Sequence, residues 1–393
     1  MGKNILFTYI TPFHPERGGI GRVTHLLTLE LQKRGYNVFY LIYDSAITIK
    51  HEYDYPAPLD YFPSKELMSE ENLSFYHQFL KEHAIDVVIN QSGNFDDSKL
   101  YLNKGDNTVK VISVLHQPPM VSYYHLWSEI YPLKNGTSIE KIKRIARILL
   151  YPKIKYQFKK DRIEHFKKML PQTDLVCMLS GNYFSELSRR CGGYENKYIV
   201  IPNPNSFSDE NIDVSEMKKK KEILYVGLLV QNKRVDRILD IWNTISKRYP
   251  EWSLRIVGEG EINYVKSLKS RAAKSERVFF EGFQNPKNYY LQSGILCMTS
   301  NYEGWGMVLT EAMQCGAVPI AFNSSAAFTD IIDNDRNGVL IEPFNMKMYE
   351  QKLCELMDNE NLLHTLSKNA QEDIKKYSVE NIVNKWEKYF YDK

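Results

Sequence analysis

The chain lacks the features that mark secreted and membrane-spanning proteins. Its first residues, MGKNILFTYI, contain no basic region followed by an apolar stretch and a cleavage site, and no apolar run approaches the roughly 18 residues that cross a bilayer. The 5 cysteines are scattered, without the spacing of disulfide or metal-binding pairs. We therefore expect reduced thiols and a cytoplasmic location.

Net charge is small as well, at +3 in 393 residues, which gives no reason to expect nucleic acid as a partner. The composition, with 43% hydrophobic and 25% charged residues, is that of a folded protein of about two domains.

Short apolar runs alternate with amphipathic stretches, a pattern typical of parallel sheets with helices on both faces. The runs in the first half predict strands at NILFTYI, NVFYLIY, IDVVIN, VKVISVLH, DLVCMLS and YIVIP; those in the second half are EILYVG, SLRIVG, RVFFEG, ILCMTS and VPIAF. The run IPNPNSFSDE lies between the halves and predicts a linker. We expect an α/β fold of two Rossmann-like parallel-sheet domains facing a cleft, with ligands bound beyond the carboxyl ends of the strands.

The domain boundaries follow from this alternation. We expect an N-terminal domain at residues 1–203, a C-terminal domain at 204–376, and a C-terminal helix at 377–393 that crosses back to the first domain. Helices are predicted from residue 20 to 34, ending at Gly35, and from about Val235, Ile262, Gly306 and Ala326.

One segment of the first domain, residues 118–172, is too long for a simple connection and should form a largely helical lobe. Between Lys141 and Lys168 it contains 11 Lys or Arg against Asp161 and Glu164, with apolar residues at helical spacing. Four aromatic residues lie near its start: Tyr123, Tyr124, Trp127 and Tyr131. Two readings stay open, a solvated helical face and a surface that lies on anionic lipid.

The run SNYEGWGMVLTEAMQCG places Glu303 in a loop and Glu311 inside the following helix. Eight helical residues span roughly 12 Å, more than the approximately 5–9 Å that separates the paired carboxylates of glycosidases. Between the two glutamates a glycine-opened helix N-terminus favours a phosphate. The spacing therefore suits a nucleotide-sugar, in which sugar, diphosphate and ribose follow in that order.

This run resembles the Glu, seven residues, Glu motif of family 4 retaining glycosyltransferases of the GT-B fold, of the kind that build bacterial surface polysaccharides. Three further runs are similar to parts of the family. The N-terminal glycine-rich loop corresponds to GGIGRVTHLLTLELQKRGYNVFYL, the linker to IPNPNSF and the phosphate-binding loop to YVGLLVQNKRVDRILDIW. The resemblance implies that Glu303 contacts the donor sugar and Glu311 the ribose. Backbone groups around Gly304 and at Gly306, Met307 and Val308 would contact sugar and phosphates.

The resemblance assigns further residues to the donor. Gly227 and the cations Lys233 and Arg234 would lie at the diphosphate, although the family's Arg after the glycine is replaced by Leu228. IVGEGE and FFEGFQNP would bind the base, through the residues Gly258, Glu259, Phe283 and Gln284. Phe283 suits core packing equally well.

In the first domain, LHQPP places His116 at a strand end, where the resemblance puts a histidine near the donor sugar. Gly18, Gly19 and Gly21 precede the first helix and suit a phosphate or the acceptor. The spacing from Gly19 to Thr24, with Asp44 about 20 residues on, also approaches a dinucleotide fingerprint. The third glycine is missing, however, and eight residues separate the strand from the glycine pair.

The expected reaction is transfer of a hexose or N-acetylhexosamine, with retention, from a UDP-sugar to a glycan or lipid-linked glycan at the inner face of the membrane. No cofactor and no metal are expected, because Asp333 to Asp335 reads as a turn and cations can stabilise the leaving diphosphate. The alternatives are a sugar-nucleotide epimerase of the same fold, a dinucleotide-dependent oxidoreductase, and a silent sugar-nucleotide-binding protein.

Overall fold

The computed structural model describes residues 2–16, 18–43, 53–127, 145–207, 212 and 219–391. The chain divides into two compact units, of which unit 1 comprises Met1–Pro204 and Val379–Lys393 and unit 2 comprises Asn205–Ser378. The chain therefore passes between the units twice, first inside the run IPNPNSFSDE and again after Ser378. The boundaries expected from the sequence lie one and two residues earlier.

Unit 1 contains a parallel sheet of seven strands in the order β3-β2-β1-β4-β5-β6-β7. The strands are β1 (Asn4–Tyr9), β2 (Asn37–Ile42), β3 (Leu59–Tyr61), β4 (Val87–Asn90), β5 (Lys110–Leu115), β6 (Leu175–Met178) and β7 (Tyr198–Val200). The central strands read as continuous apolar runs because helices cover both faces of the sheet, and β4 is buried along its whole length.

The helices of unit 1 are α1 (Gly19–Lys33), α2 (Glu70–Glu82), α3 (Ser98–Leu102), α4 (Val121–Tyr124), α5 (Tyr151–Gln172), α6 (Phe184–Cys191) and the C-terminal α14 (Val379–Tyr391). α1 ends before Gly35, which adopts a φ of 84°, as expected for a residue that follows a helix end. α14 packs against α1, and Glu387 accepts hydrogen bonds from Arg34 at 2.7 Å and from Tyr36 at 3.0 Å.

Unit 2 contains a parallel sheet of six strands in the order β10-β9-β8-β11-β12-β13. The strands are β8 (Lys220–Val226), β9 (Ser253–Val257), β10 (Val278–Gly282), β11 (Ser293–Met298), β12 (Val318–Phe322) and β13 (Val339–Ile341). β8 and β11 are neighbours in the middle of the sheet although two strands separate them in sequence. In such sheets the loops beside this change of direction are the usual place for a ligand.

The helices of unit 2 are α7 (Val235–Ile245), α8 (Ile262–Ala272), α9 (Lys287–Gln292), α10 (Met307–Gln314), α11 (Phe328–Ile331), α12 (Met346–Asp358) and α13 (Glu360–Asp373). The side chains of Asn345 and Asn359 cap α12 and α13 by accepting hydrogen bonds from the backbone N–H groups of Met348 and Leu362, three residues further on. α7, α8 and α12 bury their apolar faces in one core cluster with the inner residues of β8, β9 and β12.

The two parallel α/β sheets confirm the predicted fold class, and all eleven predicted strands are present. The sequence reading missed β3 and β13, which have three residues each. In the predicted lobe, residues 145–149, α4 and α5 are helical, whereas Tyr131 and residues 141–144 lie outside the described ranges, as does Asp44.

Candidate active site

The candidate site of unit 2 consists of the loops that follow β8, β9, β10 and β11. Backbone hydrogen bonds join the loops: Gly227 N–H donates to Val257, Gly258 N–H to Gly282, and Asn301 N–H to Asn232. Residues expected to bind one ligand from four separate sequence segments therefore lie on neighbouring loops at the carboxyl edge of one sheet.

Glu303 lies in the loop between β11 and α10, with a side chain that is 11% exposed. Its carboxylate accepts hydrogen bonds from Lys233 Nζ at 2.6 and 2.7 Å and from Ser300 Oγ at 2.7 Å. A carboxylate that is charged, oriented by two donors and close to the protein surface can still accept hydrogen bonds from sugar hydroxyls. Sequence reasoning predicted Lys233 and Glu303 separately but not this pair.

Of the cations near this loop, Lys233 alone bonds Glu303 among the described residues. Arg234 begins α7 in a left-handed conformation and donates to the Asp236 carboxylate at 2.8, 3.0 and 3.2 Å. Arg237 donates to the Thr299 carbonyl at 2.9 Å. Arg234 thus pairs with Asp236, and a contact of Arg234 with the diphosphate in place of Leu228 stays a prediction. Leu228 itself is 59% exposed.

α10 begins directly behind Glu303, and its N-terminus carries no side-chain cap among the described residues. Gly306 precedes it with a φ of 87°, and a Cβ at this position would lie 2.9 Å from the Phe328 ring. The first N–H groups of a helix have no partner inside the helix, so those of Met307 and Val308 can donate to an anion. The glycine is required by both conformation and space.

Glu311 is the fifth residue of α10 and is only 1% exposed, so it is not a surface residue. Its two carboxylate oxygens accept hydrogen bonds from Ser206 Oγ at 2.6 Å and Tyr290 Oη at 2.8 Å. Neither hydroxyl was predicted, because Ser206 belongs to the linker run and Tyr290 to α9. Contact of Glu311 with a ribose hydroxyl stays a prediction.

Lys219 supports the two helices that bring Tyr290 and Glu311 together. Its ammonium group donates to the carbonyls of Tyr290 at 3.1 Å and Leu291 at 2.8 Å, at the end of α9, and to that of Cys315, at the end of α10. Burial lowers the pKa of Lys219 to about 8. A positive charge at two helix C-termini is favourable, because both carbonyl ends carry partial negative charge.

The residues expected at the base lie on the loops after β9 and β10. Gly258 adopts a φ of 141°, and a Cβ there would lie 1.9 Å from the Gly227 carbonyl oxygen. Glu259 and Gln284 are exposed, and Phe283 is 52% exposed, which excludes the alternative that Phe283 is a core residue. The ring of Phe283 is thus available for stacking, as a flat base requires.

In unit 1, His116 follows β5 and is 8% exposed. Burial lowers the pKa of its imidazole to about 3, so the ring is neutral at physiological pH. Its Nε2 lies 2.6 Å from Oε1 of Gln91, a residue on the loop after β4. A neutral, oriented imidazole can donate or accept one hydrogen bond but is too weak a base to remove a proton from a hydroxyl.

The glycine-rich loop leads from β1 into α1. Gly18 precedes the helix with a φ of 143°, Gly19 begins it, and a Cβ on Gly21 would lie 2.4 Å from the His14 carbonyl oxygen. Nine residues separate the end of β1 at Tyr9 from Gly19, so the tight strand-to-helix turn of a dinucleotide site is absent here.

The Lys- and Arg-rich helix α5 of unit 1 has one face that contacts neighbouring loops and one face that is exposed. Arg162 on α5 donates to the carbonyls of Asn94 and Pro119, and His165 bonds the Gly93 carbonyl. The outer side combines exposed apolar residues with cations; we call it the basic surface, and its exposed members are Tyr124, Trp127, Ile145, Arg147, Leu149, Leu150, Lys153, Tyr156, Lys160, Lys167 and Lys168. α5 therefore positions two loops with one face and presents lysines with the other.

Within the described ranges, no group of three or more His, Cys, Asp or Glu side chains is arranged to hold a metal ion. Asp333 and Asp335 lie in the predicted turn, where Lys352 pairs with Asp335 at 3.2 Å. Among the residues that the structure describes, every helix is too short or too polar to cross a bilayer.

The fold and the loop geometry define a GT-B protein with two parallel-sheet units. Two family descriptions match the chain: Glycosyltransferase Family 4 at residues 17–205 and Glycosyl transferases group 1 at residues 207–373. The chain therefore belongs to the family 4 glycosyltransferases of the GT-B fold, as the resemblance predicted.

Three curated relatives match parts of the chain. A glycosyltransferase of Haemophilus influenzae is 32% identical over 193 residues, 49% of this chain and 54% of the relative. The amylovoran biosynthesis glycosyltransferase AmsD of Erwinia amylovora is 30% identical over 48% of this chain and 54% of its own. An α-1,4-N-acetyl-D-galactosaminyltransferase of Campylobacter jejuni, named for a PP-undecaprenol-linked substrate, is 26% identical over 48% and 52%. The matches span about half the length of these relatives.

Two solved structures share the fold over nearly the whole chain. The lipopolysaccharide outer core galactosyltransferase WaaB has a TM-score of 0.69 at 18% identity, with 98% of both chains covered. Anabaena HepE in complex with UDP-glucose has a TM-score of 0.70 at 16% identity, again with 98% of both chains covered. At these identities the similarity establishes the fold.

Proposed function

We propose that the protein is a retaining glycosyltransferase that moves a hexose or N-acetylhexosamine from a UDP-sugar to a hydroxyl of a glycan or lipid-linked glycan during surface polysaccharide synthesis. The observation that carries the proposal is the Glu303 carboxylate, held by Lys233 and Ser300 in front of the uncapped N-terminus of α10. An acceptor for sugar hydroxyls and two sources of positive charge for a diphosphate thereby lie side by side.

The donor is assigned to these groups in order. Glu303 accepts hydroxyls of the sugar, Lys233 and the N–H groups of Met307 and Val308 bind the diphosphate, and Glu311 binds the ribose. Gly227 and Gly258 allow the loops to approach the nucleotide, while Glu259, Phe283 and Gln284 lie at the base. Uridine is favoured because HepE, of the same fold, is described in complex with UDP-glucose.

In the proposed reaction, the bond between the anomeric carbon and the diphosphate oxygen breaks while the acceptor oxygen bonds that carbon from the same face. The proton of the acceptor hydroxyl passes to the departing diphosphate oxygen, so charge and atoms balance without an enzyme nucleophile. Lys233 and the end of α10 stabilise the negative charge that develops on the diphosphate, which requires no metal. His116 offers its imidazole to a sugar hydroxyl as a hydrogen-bond acceptor.

The acceptor is assigned to unit 1. The C. jejuni relative is named for a glycan on PP-undecaprenol, and we propose a similar lipid-linked acceptor at the inner face of the membrane. Support comes from the basic surface, in which exposed Trp127, Leu149 and Tyr156 accompany the lysines of α5. Aromatic residues beside cations suit the interface of an anionic bilayer. Gly18, Gly19 and Gly21 would bind a phosphate of this acceptor.

The test is a donor panel followed by product analysis. We expect UDP-hexoses or UDP-N-acetylhexosamines to raise the unfolding temperature and to be consumed when an acceptor is added, with the α configuration of the donor retained in the product. Glu303→Ala should abolish this transfer. An inverted product, or full activity of Glu303→Ala, would contradict the proposed mechanism. Conversion of the donor without an acceptor would instead identify an epimerase, and a bound nicotinamide an oxidoreductase.

A further inference from the structure

A chain of three buried side chains connects α1 to His116. Gln91, which is 1% exposed, donates from Nε2 to Thr24 Oγ1 at 3.0 Å, and its Oε1 lies 2.6 Å from His116 Nε2. Thr24, on α1, is fully buried. Thr24 belongs to the spacing that resembled a dinucleotide fingerprint, and in the structure it anchors an amide instead of closing a nucleotide loop.

The loop that carries Gln91 is held in place independently of this chain. A Cβ on Gly93 would lie 2.6 Å from the Val114 carbonyl oxygen, so only glycine permits the loop to pass this close to β5. Asn94 exchanges two hydrogen bonds of 3.2 Å with the backbone N–H and carbonyl of Gln117. The backbone that follows Gln91 and His116 is therefore held in place by these contacts.

The amide is directional, because its nitrogen only donates and its oxygen only accepts. With the nitrogen committed to Thr24, the oxygen faces His116 Nε2, which must then carry the hydrogen. We propose that Gln91 is a positioning residue that fixes His116 as the Nε2–H tautomer, anchored by Thr24, and so reserves Nδ1 as a hydrogen-bond acceptor. The inference rests on the proposed function in one respect, that this acceptor serves a hydroxyl of the bound sugar.

A fixed tautomer has a direct chemical consequence. If either nitrogen could carry the hydrogen, some of the molecules would present a donor at Nδ1 in place of the acceptor. With Gln91 in place, His116 offers one lone pair in one direction. A small cavity of about 10 Å³ lined by Gln91, His116 and Asn203 lies beside the ring.

The first measurement needs no substrate, and a variant serves only to assign the signals. Long-range proton–nitrogen NMR correlation on the full chain labelled with ¹⁵N-histidine distinguishes the two neutral tautomers and the imidazolium. We expect His116, assigned by the loss of its signals in His116→Gln, to show a protonated Nε2 and an unprotonated Nδ1 at pH 7. The opposite tautomer, or an equal mixture, would overturn the inference whether or not the protein transfers sugar.

The second measurement uses a matched pair of variants. Gln91→Glu replaces the amide by a carboxylate that favours the imidazolium, so His116 should titrate at higher pH and transfer should fall about 10- to 100-fold below that pH and recover above it. Gln117→Glu adds the same charge beside His116 but leaves the Thr24–Gln91 contact intact, so the tautomer should be unchanged. A uniform loss in Gln91→Glu, with an unaltered pH profile, would indicate a merely structural residue and overturn the inference.

Discussion

At the scale of single residues, the pairing of Lys233 with Glu303 is the feature with the clearest consequence. Lys233 Nζ lies 2.6 Å from a carboxylate oxygen of Glu303. A diphosphate offers Lys233 a second anionic partner, so the ammonium group can bind it while it keeps Glu303 oriented. Each residue thus depends on the other for the geometry that the donor meets.

Replacing Lys233 with Gln removes the one cation that bonds Glu303 among the described residues. We expect kcat/KM for the nucleotide-sugar to fall about 100-fold, since a charged hydrogen bond to the leaving group is lost. Steady-state kinetics measure this loss. Arg234→Gln is the control, because Arg234 is bonded to Asp236 and should lower thermal stability more than catalysis. The reverse ranking of the two variants would show that Arg234 is the diphosphate ligand.

A second residue-scale prediction concerns Asp97, which is 4% exposed and accepts a hydrogen bond from Ser92. Burial raises the pKa of its carboxyl from 3.8 to about 6. The folded protein therefore binds more protons than the unfolded chain between about pH 4 and pH 6, so this group lowers stability as the pH rises through that range. Above pH 6 the cost persists in full.

Asp97→Asn removes this cost and keeps an acceptor for Ser92. We expect the variant to be more stable than the parent by about 1–3 kcal/mol at pH 7.5, with the difference vanishing at pH 4. Urea unfolding at the two pH values measures both quantities. A variant that is less stable at pH 7.5 would show that the charged carboxylate has a stabilising partner.

The site residues that sequence reasoning identified are those with a motif of their own. Glu303, Lys233 and Gly306 follow strands at recognisable spacings, and the structure places them on neighbouring loops. Ser206, Tyr290 and Gln91 were not predicted, because each is an ordinary polar residue whose importance comes from the side chain that it meets across the fold. Asp236 is only two residues from Arg234. The three hydrogen bonds between them form with Arg234 in a left-handed backbone conformation, which the sequence did not predict.

At the scale of elements, the loops after β8 and β9 are in backbone contact, and glycine makes this possible. A Cβ on Gly258 would lie 1.9 Å from the Gly227 carbonyl oxygen, and one on Gly260 would lie 2.1 Å from that of Leu229. Leu229 and Gly260 also form an isolated parallel bridge. The two loops therefore extend the sheet by one further contact beyond its strands.

Gly258→Ala should force these loops apart. We expect a loss of about 3 kcal/mol or more in the free energy of unfolding, because the clash involves backbone and the φ of 141° is strained for alanine. Gly294→Ala, in β11, is the matched control. Its Cβ would lie 3.4 Å from the Lys220 carbonyl oxygen, an ordinary van der Waals distance. Chemical denaturation compares the two. Equal effects would mean that the loops move apart readily.

Most strands were predictable because a parallel sheet covered on both faces needs continuous apolar runs. β3 and β13 were missed because each has only three residues, whereas the equally short β7 lies within the longer apolar run YIVIP. The helical character of residues 118–172 was predicted from periodicity, but the roles of Arg162 and His165 in holding the loop of Gly93 and Asn94 were not. Those contacts join segments about 70 residues apart.

At the scale of the whole molecule, the basic surface of unit 1 is the most distinctive exposed region. We expect the full chain to bind vesicles that contain anionic phospholipid at low salt, and the double charge reversal of Lys153 and Lys160 to Glu to weaken binding about tenfold or more. Vesicle sedimentation measures the bound fraction. Reversal of the exposed Lys266 and Lys347 in unit 2 is the control, with the same change in net charge. If both variants bind alike, the basic surface is not the contact.

The double passage of the chain also fixes the order in which the protein can be completed during synthesis. Unit 2 is one continuous segment whose two ends are already joined, since Asn205 N–H donates to the Tyr377 carbonyl at 2.8 Å. Unit 1 receives α14, with its Glu387 contact to Arg34 and Tyr36, only after all of unit 2 has left the ribosome. Unit 1 can therefore bind its last helix only after unit 2 has been synthesised, whereas unit 2 needs no later part of the chain.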